Sequence, residues 1–131
     1  MTRYVIGPDV AIRLAQEGAV VRAEPELLAP TLFRSQVLSL LFESVQRRDL
    51  TASEADAILA SVRGLRMRLL GDRVLQNVAW DVAEQLGLPD TYEAEYVALT
   101  RLQADALVTL DDRLATVAAR LVAVAPISDL T

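Results

Sequence analysis

The chain predicts an α/β fold in three layers, with a central, mainly parallel sheet of four to five short strands covered by helices. Two observations predict it. Short apolar stretches of strand character alternate with longer stretches of helical period along the whole length. Hydrophobic residues make up 53% of the 131 and charged residues only 24%, enough apolar surface to cover both faces of a parallel sheet. No repeat, low-complexity tract or linker divides the chain, so residues 1–131 read as one domain with one core.

The elements follow in order. Arg3 to Ile6 reads as a short buried strand ended by Gly7-Pro8. Val10 to Gln16 reads as a helix with Asp9 as its N-cap. Glu26 to Ala29 is a weaker strand, stopped by Pro30. From Thr31 to Arg48 the residues Leu32, Phe33, Val37, Leu40, Leu41 and Val45 recur at helical spacing. Ser53 is placed to cap another helix, with Ala55, Ile58, Leu59 and Val62 on its inner face. Arg66 to Leu70 has strand alternation, and Arg73 to Leu86 is helical with Gly87 as its stop. A helix from about Thr91 to Leu102 precedes the most strand-like segment, Ala106 to Leu110. Asp112 to Arg120 is helical again, with Asp112 as its cap, and Leu121 to Val124 reads as a last strand. Trp80 and Phe33 read as core residues.

Composition removes whole classes of chemistry. There is no Cys, hence no disulfide, thiolate nucleophile or thiolate metal site. There is no His, the commonest general base and transition-metal ligand. All thirteen basic residues are Arg, which excludes Schiff-base and Lys-dependent phosphate chemistry. What remains is carboxylate, hydroxyl and guanidinium, and that set suits a hard divalent cation held by oxygen. The net charge of −5 argues against a dedicated nucleic-acid coat, yet a metal-dependent nuclease brings its own positive charge. No apolar run reaches the roughly 18 residues that span a bilayer, and the first residues carry no secretory pattern. A cytoplasmic location without membrane contact is the expectation.

Open parallel sheets form their sites at the carboxyl ends of strands. That is where Asp9 and Asp111 stand, one beyond Tyr4-Val5-Ile6 and the other directly after Leu107-Val108-Thr109-Leu110. Between them, Thr91-Tyr92-Glu93-Ala94-Glu95 starts a helix with acids. Each residue also has a plainer reading. Asp9 and Asp112 can be helix caps, Glu93 can serve the helix dipole, and Asp90 and Glu95 can be solvated or capping. Thr109 can be an ordinary β-branched strand residue, and Arg63, Arg66, Arg68 and Arg73 a solvated basic face.

Tyr92-Glu93-Ala94-Glu95-Tyr96-Val97-Ala98-Leu99, followed by Ala106-Leu107-Val108-Thr109-Leu110-Asp111, resembles the C-terminal half of VapC-type PIN domains. The opening strand and the segment from Ala29 to Leu38 are similar to that family's first two motifs. The resemblance covers nearly the whole chain in order. It implies a small ribonuclease toxin of a toxin–antitoxin pair, dependent on Mg²⁺ or Mn²⁺, forming a homodimer and held inactive by a cognate antitoxin. It assigns catalysis and metal binding to Asp9, Glu93 and Asp111, with weaker metal contacts from Gln36 and Asp112. The chain departs from the family pattern at three positions. The first acid sits in Gly7-Pro8-Asp9, two residues late. The second, usually Glu, is Gln36. The third, usually Asp, is Glu93. A catalytically weakened PIN-like domain, acting mainly through antitoxin or partner binding, is the alternative these departures raise. A phosphoacceptor domain would need a Lys, and a haloacid-dehalogenase-type phosphatase would need Asp-x-Asp after the first strand; neither is present.

Overall fold

The computed structural model describes every residue from Met1 to Thr131. β1 (Arg3–Ile6) runs through Gly7 directly into α1 (Pro8–Glu17). Proline suits the first helical position, because its φ is already helical and the N–H it lacks has no partner there. The cap expected at Asp9 is therefore corrected: Gly7 holds the N-cap position, and Asp9 lies inside the first turn. β2 (Glu26–Pro30), α2 (Phe33–Gln46) and α3 (Ala52–Arg63) follow.

Thr51, rather than the expected Ser53, caps α3. Its hydroxyl accepts from the Glu54 amide at 3.1 Å, and Glu54 Oε1 accepts from the Thr51 amide at 2.9 Å. Ser53 falls inside the first turn, two residues too late to accept that bond. Thr51→Ala should cost about 1 kcal/mol, read as a lower urea midpoint with unchanged slope. An unchanged midpoint would show that solvent replaces the box without loss.

β3 (Met67–Leu70), α4 (Arg73–Leu86), α5 (Tyr92–Gln103), β4 (Ala106–Val108) and α6 (Asp112–Ala118) complete the main elements, before a final turn of 3₁₀ helix at Ile127–Leu130. Gly87 ends α4 with φ 65°, the left-handed conformation that favours glycine.

The four strands are all parallel, in the order β3-β2-β1-β4. Val5 lies opposite Leu28 on one side and Leu107 on the other, so β1 and β4 are neighbours as expected. The expected last strand shrinks to a single bridge between Leu107 and Val124. The amides of Leu121 and Val122 both return to the Ala118 carbonyl to finish α6, leaving only the residues around Val124 to pair. β4 is consequently the last full strand on its side, not an inner one.

Handedness sets the layers. The steps from β1 to β2 and from β2 to β3 move one way across the sheet, and the step from β3 to β4 moves back. Right-handed crossovers then put α1, α2 and α3 on one face and α4 with α5 on the other. The packing agrees: α1 lies against α2 and α3, while α4 lies against α5, which covers β1, β2 and β4. Val5, Ile6, Leu28, Leu107 and Val108 are fully buried between these layers. Each such side chain contributes about 1.5–3 kcal/mol relative to exposure. Phe33 belongs to this core, but Trp80 does not; it stands on the outer face of α4, 65% exposed.

Candidate functional site

Because β1 and β4 are adjacent and parallel, Gly7 to Asp9 and Thr109 to Asp111 leave the sheet on the same edge. The Gly7 amide donates to the Val108 carbonyl at 3.2 Å, the last rung between the two strands. Gly7 has φ −77° and ψ 163°, which any residue adopts. Its lack of a side chain matters for space: a Cβ there would run into Asp9 Oδ1 and lie 3.5 Å from Asp9 Cγ. The Asp9 carboxylate is thus folded back over position 7. An acid that arrives two residues late in the sequence is returned to the end of β1.

Asp9 also holds the end of β4. Its Oδ2 accepts from the Leu110 amide at 2.9 Å and from the Thr109 hydroxyl at 3.4 Å, while Oδ1 takes the Val10 amide at 2.9 Å. This explains why β4 stops at Val108 and not at Leu110, since the amide of Leu110 serves the carboxylate instead of a ladder. The Thr109 hydroxyl accepts in turn from the Asp111 amide at 3.1 Å. Asp111 Oδ1 accepts from the Leu114 amide at 3.1 Å and so caps α6. The cap expected at Asp112 is corrected to Asp111. The exposed Asp112 contributes only its backbone carbonyl, to Thr116.

Arg113 closes the arrangement. Its Nη2 donates to both carboxylate oxygens of Glu93, at 2.8 and 2.7 Å, and lies 3.5 Å from Asp111 Oδ2. Both carboxylates hold the guanidinium in its charged form, Glu93 most strongly. A continuous line of contacts therefore runs from Asp9 through Thr109 and Asp111 to Arg113 and Glu93. On the same edge the Tyr96 hydroxyl donates to Gln36 Oε1 at 2.6 Å. Burial, and then the nearby charges of Asp9 and Glu95, push the Tyr96 phenol up, so it remains a donor at any working pH. Burial also raises the Glu95 carboxyl, which is neither fully solvated nor a cap as expected.

The three predicted acids share one rim, but they are not grouped as a three-carboxylate metal cage. Arg113 stands between two of them, Glu93 and Asp111. Crowded carboxylates repel until a cation neutralises them, and here a guanidinium does so within the chain. Gln36 is held by Tyr96 without adding charge, and the Asp112 side chain forms no hydrogen bond or ion pair with the rim. The donors still fit a single Mg²⁺ or Mn²⁺, which takes one or two carboxylates and completes its shell with water and substrate phosphate. All are hard oxygens, Glu93 and Asp111 are 32% and 43% exposed, and the guanidinium between them marks where positive charge is favoured. They do not supply the charge for two ions.

Neither Arg113 nor Tyr96 is among the residues singled out from sequence. Their spacing carries the signal. Tyr96 lies three residues beyond Glu93 on one helix face, and Arg113 lies in the first turn of the helix that Asp111 caps.

No family model matches the chain, and no curated protein matches it. A solved crystal structure, PAE2754 from Pyrobaculum aerophilum, superimposes with a TM-score of 0.73 at 19% identity, over 98% of this chain and 91% of that one. The likeness is one of fold. It supports the three-layer α/β architecture across nearly the full length. No helix of the chain is long and apolar enough to cross a membrane.

Proposed function

We propose that this chain is a PIN-type endoribonuclease, the toxin of a toxin–antitoxin pair, hydrolysing phosphodiesters with one Mg²⁺ or Mn²⁺. The observation that carries the reading is the contact line from Asp9 to Glu93 along the carboxyl ends of two adjacent parallel strands. The motif resemblance supplies the substrate class. Asp111 and Glu93 would hold the ion, with Asp9 beside them. A divalent ion bound there would supply Lewis acidity toward a phosphodiester and its attacking water.

The chain's own residues do the rest. Leu110 and Thr109 fix the Asp9 carboxylate against the end of β4. The α6 cap fixes Asp111 in the same way, leaving its Oδ2 toward solvent and Arg113. Arg113, 58% exposed, is the guanidinium placed to exchange Glu93 for a phosphate oxygen of RNA. Tyr96 stays protonated and keeps the Gln36 side chain oriented.

The proposal includes a homodimer and a cognate antitoxin that covers the rim. The exposed apolar side chains Phe42, Val74 and Trp80 supply surface for such partners. An Arg inserted by an antitoxin would meet carboxylates that already accept a guanidinium from Arg113. The second reading, a PIN-like domain acting mainly by partner binding, is favoured by Gln36 and by the Arg113–Glu93 pair. Purified protein incubated with RNA separates the two: cleavage dependent on Mg²⁺ or Mn²⁺ and lost with chelator supports the nuclease, and its absence supports the partner-binding domain.

Gln36→Glu tests the single-ion arrangement. Added charge on the rim should tighten Mn²⁺ binding roughly tenfold by calorimetry. It should also destabilise the metal-free protein by up to about 1 kcal/mol through repulsion from Asp9. An unchanged Mn²⁺ affinity would place position 36 outside the ion's reach.

A further inference from the structure

A groove of about 580 Å³ lies between the start of α2, the end of α3 and β3. Eight of its eleven lining residues are apolar, Leu38, Leu59, Met67 and Leu69 among them, and its charged residues are Arg34 and Arg63. No carboxylate lines it, although the chain carries 18 acidic residues against 13 Arg. Arg34 and Arg63 are exposed and take part in none of the chain's ion pairs. β3 is the sheet's free edge, and the outward N–H and C=O groups of Met67 to Leu70 find no partner in the chain. An apolar trough, an open strand edge and two unpaired guanidiniums therefore coincide.

We infer that this groove docks an extended acidic, aliphatic segment of a partner protein, which adds a strand to β3. Alternate side chains of an added strand point to one face of the sheet, so its aliphatic residues fill the trough. Asp or Glu flanking them pairs with Arg34 and Arg63. A second copy of this chain, meeting it face to face, would set Arg34, Arg63 and Arg66 against their own kind. RNA is a poorer occupant, because the trough is aliphatic and its aromatic residue, Phe33, is buried and offers no stacking face. The inference is independent of the nuclease reading, since Asp9, Glu93 and Asp111 line no part of the groove.

The test is selection of a random peptide display library on the purified full chain, with recovered peptides measured by fluorescence anisotropy. The expected peptides alternate aliphatic residues and carry flanking Asp or Glu. Their affinity should fall about tenfold or more on Arg34→Glu/Arg63→Glu, two exposed positions outside the core. Leu38→Glu on the groove wall should weaken them as well. Failure to enrich any peptide overturns the inference, as does a set without acidic residues or one whose binding survives the double substitution. A labelled single-stranded RNA that binds the wild type and is lost on the same substitution would assign the groove to nucleic acid and overturn it too.

Discussion

On the proposed nuclease reading, Asp111→Asn should remove metal-dependent RNA cleavage while leaving the fold intact. Loss of an outer partner of a metal ligand alone costs about 10–100-fold, so loss of charge on the ligand itself should cost at least about 100-fold. Asp111 has a second duty, because its Oδ1 caps α6 through the Leu114 amide. Asn caps as well as Asp does, so the helix keeps its start and the melting temperature stays near that of wild type. Arg113 keeps its closer partner, Glu93, at 2.7 Å. The measurement is the initial cleavage rate with Mg²⁺ and with Mn²⁺, beside circular dichroism of both proteins. Equal rates for wild type and variant across several RNA substrates would remove the nuclease reading and leave the partner-binding one.

Gly7→Ala has the second large effect, and steric contact alone predicts it. The added methyl occupies the space of Asp9 Oδ1, while the backbone at this position would accept alanine without strain. The carboxylate is the free end of a flexible side chain and can turn aside, so the cost is that of the hydrogen bonds it gives up, about 1–3 kcal/mol. Asp9 must swing away, so the Leu110 amide loses its acceptor and the rim loses a carboxylate. Cleavage should fall with stability. The pair Gly7→Asp and Asp9→Ser, made together, returns the acid to the first position after β1 and removes the group it would strike. That double variant should recover most of the cleavage that Asp9→Ser alone loses. Wild-type stability and activity in Gly7→Ala would show that the Asp9 carboxylate does not depend on position 7.

The parallel sheet was legible because its strands are short apolar runs between helical stretches, and burial on both faces leaves that pattern in the residues. Its pairing of β1 with β4 follows from the same pattern with right-handed crossovers. Caps were less legible. Proline at the first helical position moves the start of α1 ahead of Asp9, and the choice between Thr51 and Ser53 rests on which hydroxyl stands three residues before Glu54. Trp80 was misplaced because its size argues for burial, whereas its position on α4 puts it outside. Asp9, Glu93 and Asp111 could be named from their place after strands and at a helix start. The return of Asp9 over Gly7 and the bridging by Arg113 could not, because both depend on side-chain direction. The segment beyond Arg120 shows a related limit: Leu121 and Val122 look like a strand, but their amides are already committed to ending α6.

The most direct test of the acidic rim is anomalous diffraction from a crystal of the protein soaked in Mn²⁺. A single peak per chain at the rim of Asp9, Glu93 and Asp111, with Arg113 drawn away from Glu93, is the predicted result. A rim without a peak at saturating Mn²⁺, and with Arg113 still on Glu93, would contradict it.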